Sequence, residues 1–68
     1  MTVELDAWAA YLETGSMREA ARRLGVHEVT VKKRIGVLRD LYGVRTNAQL
    51  AVAIERAGDA TKVVAAGQ

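Results

Sequence analysis

Four of the five glycines in the first 58 residues, at positions 15, 25, 43 and 58, divide this part of the chain into four short segments. Each segment has apolar residues at helical spacing, and glycine readily adopts the left-handed conformation that ends many helices. The 68 residues include no proline and no alternating β-branched run that would indicate a strand. The pattern predicts an all-α, four-helix domain over residues 1–58, with helices at about 3–14, 17–24, 28–42 and 47–57.

Residues that cap helices precede three of these segments. Thr2 is expected to cap the first helix. Ser16 and Glu19 have the spacing of a capping box, in which each side chain accepts the other residue's backbone N–H. Thr46 and Gln49 repeat this spacing before the fourth helix. Caps and glycines together therefore mark both ends of three predicted helices, and Gly43 marks the end of the third helix.

The apolar spacing also predicts which side of each helix is buried. In a chain this short, folding buries only about 60% of the unfolded surface, so the core must be small. The residues expected in it are Leu5, Trp8 (or Ala9) and Leu12; Met17, Ala20, Ala21 and Leu24; Val31, Ile35, Leu38 and Tyr42; and Leu50, Ile54 and Ala57. Residues 59–68 give weak signals, and we expect a flexible or weakly helical tail, with at most a short helix around 61–66.

The charge is distributed unevenly along the chain, although its net value is only +2. Residues 1–17 carry three anions and no cation. Residues 18–45 carry eight cations against three anions, a net charge of +5, and residues 46–68 are balanced. Cations clustered in the two central helices suit the neutralisation of phosphates, although solvated helix surfaces would also account for them.

Residues 16–45 have the layout of a helix-turn-helix. Such a motif needs a small residue on the first helix, a residue that reverses the chain, and an apolar residue just inside the second helix. Ala20 or Ala21, Gly25, and Val26 with Val31 meet these needs, although ordinary helical hairpins share some of them. The second helix of the motif would enter the major groove of double-stranded DNA.

Four residues of the third helix are candidates for contacts with base edges. Lys32 and Lys33 could donate to guanine, or could contact phosphate or remain solvated. Glu28 could accept from cytosine, or could simply suit the positive end of the helix dipole. Gly36 faces the groove, where it permits close approach or removes a contact, at a cost of about 1 kcal/mol relative to alanine.

A second set of residues is expected to contact phosphates or to flank the groove. Thr30 could instead bond to its own backbone, and His27 could act as a local cap. The expected phosphate contacts are Arg18, Arg22, Arg23, His27, Thr30, Arg34 and Arg39.

Several other functions are disfavoured by the composition. The chain has no cysteine and one histidine, so we expect no metal site and no cofactor. No nucleophile, base and orienting group occur together, which argues against an enzyme. No apolar run reaches the length of about 18 residues that a membrane span requires, so we expect a cytoplasmic protein without membrane contacts.

From Thr30-Val31-Lys32 through LRDLYGVRTNAQLAVAI, the chain resembles the LuxR/GerE-type DNA-binding domain. That resemblance implies four helices, the third in the major groove and the fourth supporting a dimer. It places Lys32 and Lys33 at base-reading positions, with Thr30 and Arg34 near the backbone. The chain departs from the family at the start of the first helix and at Gly36.

The segment YLETGSMREAARRLGVHEVTVKKRI is also similar to the opening helices of LysR-type and PucR-type regulators, through its ETGS and AARRLGV patterns. A LysR-type domain would continue into a β-hairpin wing, whereas this chain continues into a capped helix. All three resemblances imply DNA binding.

We therefore expect a transcriptional regulator that binds DNA as a homodimer, because two recognition helices double the base contacts. The expected dimer surface is the face of the fourth helix that carries Gln49, Val52, Ala53 and Arg56, although such an alanine-rich face could equally be solvent-exposed in a monomer. The alternative is a protein-interaction module that binds an acidic partner protein through the basic face.

Overall fold

The computed structural model describes residues 2–59, and these form helices without any strand. The four α-helices are α1 (Thr2–Thr14), α2 (Met17–Leu24), α3 (Glu28–Tyr42) and α4 (Asn47–Ile54), and a π-helical turn, Glu55–Asp59, follows α4. The all-α, four-helix prediction is confirmed, and the bounds of α2 and α3 agree with it. Among the described helices, none is long and apolar enough to cross a membrane. The predictions for residues 60–68 lie outside the described residues.

The chain forms two compact units, one ending at Leu38 and one beginning at Arg39, so α3 contributes to both. In the first unit α1 packs against α2. Their buried residues are mostly alanines, with one tryptophan: Ala7, Trp8, Ala10, Ala20 and Ala21. Small side chains let two helix backbones approach closely.

The predicted buried side of α1 was wrong apart from Trp8. Leu5 and Leu12 are 41% and 59% exposed, and Ala9 is exposed as well. The helix instead turns its opposite side inward, where Ala7 and Ala10 are buried.

The side of α1 that is buried also has helical spacing, because Tyr11 and Thr14 continue the line of Ala7 and Ala10. The Tyr11 ring lies 5.7 Å from the Trp8 ring between centroids, at an interplanar angle of 42°. The hydroxyl of Thr14 lies 2.7 Å from the carbonyl oxygen of Ala10. The buried side of α1 thus consists mainly of small residues, whereas its leucines are exposed.

The start of α2 confirms half of the predicted capping box. Ser16 has an extended backbone, and its hydroxyl accepts the backbone N–H of Glu19 at 3.0 Å. The reciprocal bond, from the Ser16 N–H to the Glu19 carboxylate, was wrongly predicted, because this N–H donates to the Thr14 hydroxyl instead, at 3.5 Å. The Glu19 carboxylate lies 4.0 Å from the Arg22 guanidinium. Thr14 thus ends α1 and takes one of the two capping roles of α2.

The turn between α2 and α3 depends on Gly25. Its φ of +70° lies in the left-handed region, and its N–H donates to Arg22 while that of Val26 donates to Ala21. These two bonds form a Schellman motif, which satisfies carbonyl groups at the end of α2. Gly43 ends α3 in the same manner, with φ of +69°. The predicted glycine stops are confirmed at both positions.

The core side of α3 agrees with the sequence pattern. Val31, Ile35 and Leu38 are fully buried, and Tyr42 is half-buried. In α2, Ala20 and Ala21 are buried as expected, whereas Met17 and Leu24 are only half-buried. The three half-buried residues, Met17, Leu24 and Tyr42, all lie at helix ends. The side of α3 opposite Ile35 is therefore left for other contacts.

In the second unit, α4 begins with a complete capping box. The Gln49 N–H donates to the Thr46 hydroxyl at 3.0 Å, and the Thr46 N–H donates to the Gln49 side-chain oxygen at 3.2 Å. Leu50 is fully buried and Ile54 half-buried, but Ala57 is exposed, so its predicted burial was wrong.

The predicted end of the fourth helix also differs from the structure. The α-helix stops at Ile54, and the chain continues in a π-helical turn that includes Gly58. A π-turn widens the helix, which shifts later residues away from the α-helical spacing on which the prediction for Ala57 relied. At the other end, α1 begins at Thr2, the residue expected to be its cap.

Replacing Gly25 with alanine should destabilise the protein by about 1–2 kcal/mol, because a side chain disfavours its left-handed conformation. Gly36→Ala is the matched control, since Gly36 lies within α3 without a positive φ. That substitution should stabilise the protein by up to about 1 kcal/mol. Urea unfolding followed by circular dichroism measures both, and shifts of the midpoint in the same direction would contradict the assignment.

Candidate nucleic-acid interface

The outward side of α3 is the centre of the candidate interface. An α-helix turns about 100° per residue, so Lys33 lies opposite the buried face of Val31 and Ile35. Lys33 is exposed and has no ion pair or side-chain hydrogen bond within residues 2–59. Gly36, one turn further on, is half-buried and adds no side chain. The middle of this side thus carries an ammonium group that is unpaired within residues 2–59, next to a glycine that has no side chain.

One edge of the outward side carries an ion pair. The Lys32 ammonium lies 3.3 Å from the Glu28 carboxylate, at i, i+4 spacing, and both side chains are largely exposed. An exposed pair of this kind contributes at most about 1 kcal/mol, so a phosphate or a base could displace it. Two of the four residues predicted to contact bases, Lys32 and Glu28, are therefore brought together, but as partners of each other.

The opposite edge carries Thr30 and Arg34, both half-buried. The Thr30 N–H donates to the carbonyl oxygen of His27, which also accepts from Val31. The His27 side chain is exposed just before α3 begins. This edge provides groups suited to phosphate rather than to the bottom of a groove.

The cations of α2 differ in their surroundings. Arg18 is exposed, with no ion pair in the part of the chain that the structure describes, while Arg22 lies 4.0 Å from Glu19. Arg23 pairs with Glu13 of α1, and both side chains are more than half exposed. All three guanidinium groups are thus accessible, but Arg23 is held by an acid from the neighbouring helix.

Arg39 lies in the second unit and is half-buried. Its guanidinium donates to the side-chain oxygen of Asn47 at 2.6 Å, which ties the end of α3 to the start of α4. This local role was not recognised in the sequence.

The whole set of helices has a match among known protein families. The family model of the PucR C-terminal helix-turn-helix domain matches residues 5–55, which is most of the chain. The chain belongs to this family. It is a helix-turn-helix DNA-binding domain, as the layout of residues 16–45 indicated. No curated protein and no solved structure gives a significant match.

The match to the PucR-type domain supports the resemblance carried by the ETGS and AARRLGV patterns. The likeness of the segment from Thr30 onward to LuxR/GerE-type domains is not shown by the comparison. The general conclusion common to these resemblances, a helix-turn-helix that binds DNA, is the part that is established.

One exposed residue of this PucR-type domain was missed by the sequence reasoning. Val29 lies in the first turn of α3 and is 70% exposed, on the same side as Lys33 and Gly36. Its spacing to Lys33, four residues, could have identified it. Because Val29 is an apolar residue among charged ones, a criterion based on charge does not identify it.

Of the residues of the predicted dimer surface, Gln49, Val52 and Ala53 lie on α4. Arg56 lies in the π-helical turn after α4, so its predicted place on the fourth helix was wrong. Gln49, Val52 and Arg56 are exposed and Ala53 is half-buried. The Gln49 side chain is engaged in the capping box, where its oxygen also accepts the Arg45 N–H at 2.9 Å. This leaves Val52, 47% exposed, as the main apolar group of the surface.

Glu13→Gln should increase the affinity for any DNA duplex by about fivefold at most, because it releases Arg23 from an exposed ion pair. Asp6→Asn is the control, since it removes the same charge from the exposed surface of α1. Fluorescence anisotropy with a labelled duplex at low salt measures both. Equal gains in the two variants would show an effect of net charge instead of the release of Arg23.

Proposed function

We propose that this domain is a sequence-specific regulator of transcription that inserts α3 into the major groove of double-stranded DNA. The observation that carries the proposal is the outward side of α3, where Lys33 is exposed opposite a fully buried face and has no partner within residues 2–59. The membership of the PucR helix-turn-helix family supports the same role for this helix.

Base recognition is assigned first to Lys33. An ammonium group can donate to the O6 and N7 acceptors that guanine presents in the major groove. Lys32 and Glu28 lie at the edge of the outward side, where their ion pair can open toward a guanine and a cytosine. The absence of a side chain at Gly36 lets the helix approach the base pairs closely.

Phosphate contacts are assigned to groups around this centre. Arg18, Arg22 and Arg23 on α2 would meet one strand, and Thr30, Arg34 and His27 lie at the edge and the start of α3. Each phosphate that is neutralised releases counterions, so the affinity should fall steeply as salt is raised. Arg39 can join this set only by giving up its bond to Asn47.

Lys33→Ala should abolish selection for one base pair of the site, at a cost of about 1–3 kcal/mol in discrimination. Arg45→Ala is the matched control, because it removes one exposed cation from the turn after α3. Binding to a randomised duplex pool, followed by sequencing of the bound fraction, gives the preferred site for each protein. The control should keep the wild-type preference.

Three outcomes would count against the proposal. Lys33→Ala with unchanged base preference would remove Lys33 from recognition. Binding by the wild type without any enriched sequence would leave a non-specific basic surface. No binding at low salt would favour the alternative, in which the basic side binds an acidic partner protein.

We further propose that the domain acts as a homodimer through α4. Val52 and Ala53 present a small apolar surface beside the charged Arg56, and small residues permit close approach of two helices. A symmetric pair would place two recognition helices about 34 Å apart, one turn of DNA. The preferred site would then contain two inverted half-sites.

Val52→Glu should convert the dimer to a monomer, since it would bury like charges at the centre of a symmetric interface. Ala51→Glu is the control, because Ala51 is exposed on another side of α4. Sedimentation velocity gives the oligomeric state of both variants. A wild type that sediments as a monomer with and without DNA would show that the α4 surface is simply solvated.

A further inference from the structure

Val29 is the most exposed large apolar residue that the described part of the chain offers, at 70%. It lies in the first turn of α3 and shares the outward side with Lys33 and Gly36, at i, i+4 and i+7 spacing. The cations Lys32 and Lys33 follow within one turn. An apolar side chain thus lies in the first turn of the helix that carries the most cations, four against three in α2.

Neither burial nor helix propensity accounts for valine at this position. Its side chain is not buried, and β-branched valine is a poorer helix former than alanine. Leu12 and Leu41 are also well exposed, at 59% and 60%, but they lie on α1 and in the last turn of α3. Val29 alone among these three belongs to the side that faces outward between the cations.

The chemistry of the major groove offers one apolar partner at the edges of the bases. The C5-methyl group of thymine is the only such group that the four standard base pairs present there. We infer that Val29 determines specificity by packing against a thymine methyl group. This inference rests on the proposed function, and it adds an apolar contact to the polar one assigned to Lys33.

The spacing along α3 limits where that thymine lies. Val29 and Lys33 are four residues apart, about 6 Å along the helix axis. Base pairs are stacked about 3.4 Å apart, so the thymine should lie within about two base pairs of the guanine that Lys33 contacts. A polar contact and an apolar contact on neighbouring base pairs exclude more sequences than either does alone.

The test removes single methyl groups from the DNA. Once the preferred duplex is known, each thymine is replaced in turn by deoxyuridine, which lacks only the C5-methyl group. The wild type should bind about fourfold more weakly when one particular thymine is replaced, the effect of about one buried methyl group. Val29→Ala should bind the thymine and deoxyuridine duplexes equally, because the shorter alanine side chain no longer reaches the thymine methyl group.

Val3→Ala is the matched control. Val3 is 47% exposed on α1, so the same truncation is made on an exposed helical valine outside α3. This variant should retain the wild-type sensitivity to the critical thymine. Circular dichroism of both variants checks that the helices are intact, and alanine is expected to favour them.

The possible results separate the inference from the proposed function. If a preferred site exists but no thymine replacement weakens wild-type binding, the role of Val29 is overturned and the proposed function stands. The same holds if Val29→Ala remains as sensitive as the wild type. If no preferred site is enriched, the proposed function fails and the inference fails with it.

Discussion

The burial of one side of α3 is the constraint on which the candidate interface depends. Val31, Ile35 and Leu38 are fully buried, and together they fix the rotation of the helix about its own axis. Because a helix has only one rotation that satisfies all three, every other residue of α3 has its direction set by them. Lys33 and Val29 face outward for this reason.

Much of this arrangement could be predicted from the sequence, because the signals are local. The cap at Ser16 and the glycines at positions 25 and 43 act on the backbone of their immediate neighbours. The bounds of α2 and α3 therefore followed from short patterns. The inward side of α3 was also predictable, since its large apolar residues have only one helical alignment.

Other features depended on neighbours that a linear pattern does not reveal. In α1 two sides have helical apolar spacing, and the side with Ala7 and Ala10 is the buried one in a helix that packs against α2. The pairs Arg23–Glu13 and Arg39–Asn47 join residues 10 and 8 positions apart, on different helices. Counting cations along the chain could not show which of them were already engaged.

The ending of α4 shows a third kind of failure. Gly58 resembles the other glycines in the sequence, yet the backbone passes through it in a π-helical turn. The change of helix type begins at Glu55, where no residue gives a clear signal. A glycine permits a stop, but hydrogen bonding further upstream decides whether the chain uses it.

The ion pair between Glu13 of α1 and Arg23 of α2 also affects how the first unit responds to a polyanion. Within about a Debye length, or 8 Å at physiological salt, a polyanion attracts the guanidinium and repels the carboxylate. Because these two groups are paired, the forces on them largely cancel, and Arg23 adds little to the long-range attraction. Cations that have no ion pair within residues 2–59, such as Arg18 and Lys33, keep their full effect. Ion pairing within the domain therefore sets how strongly each cation acts before contact.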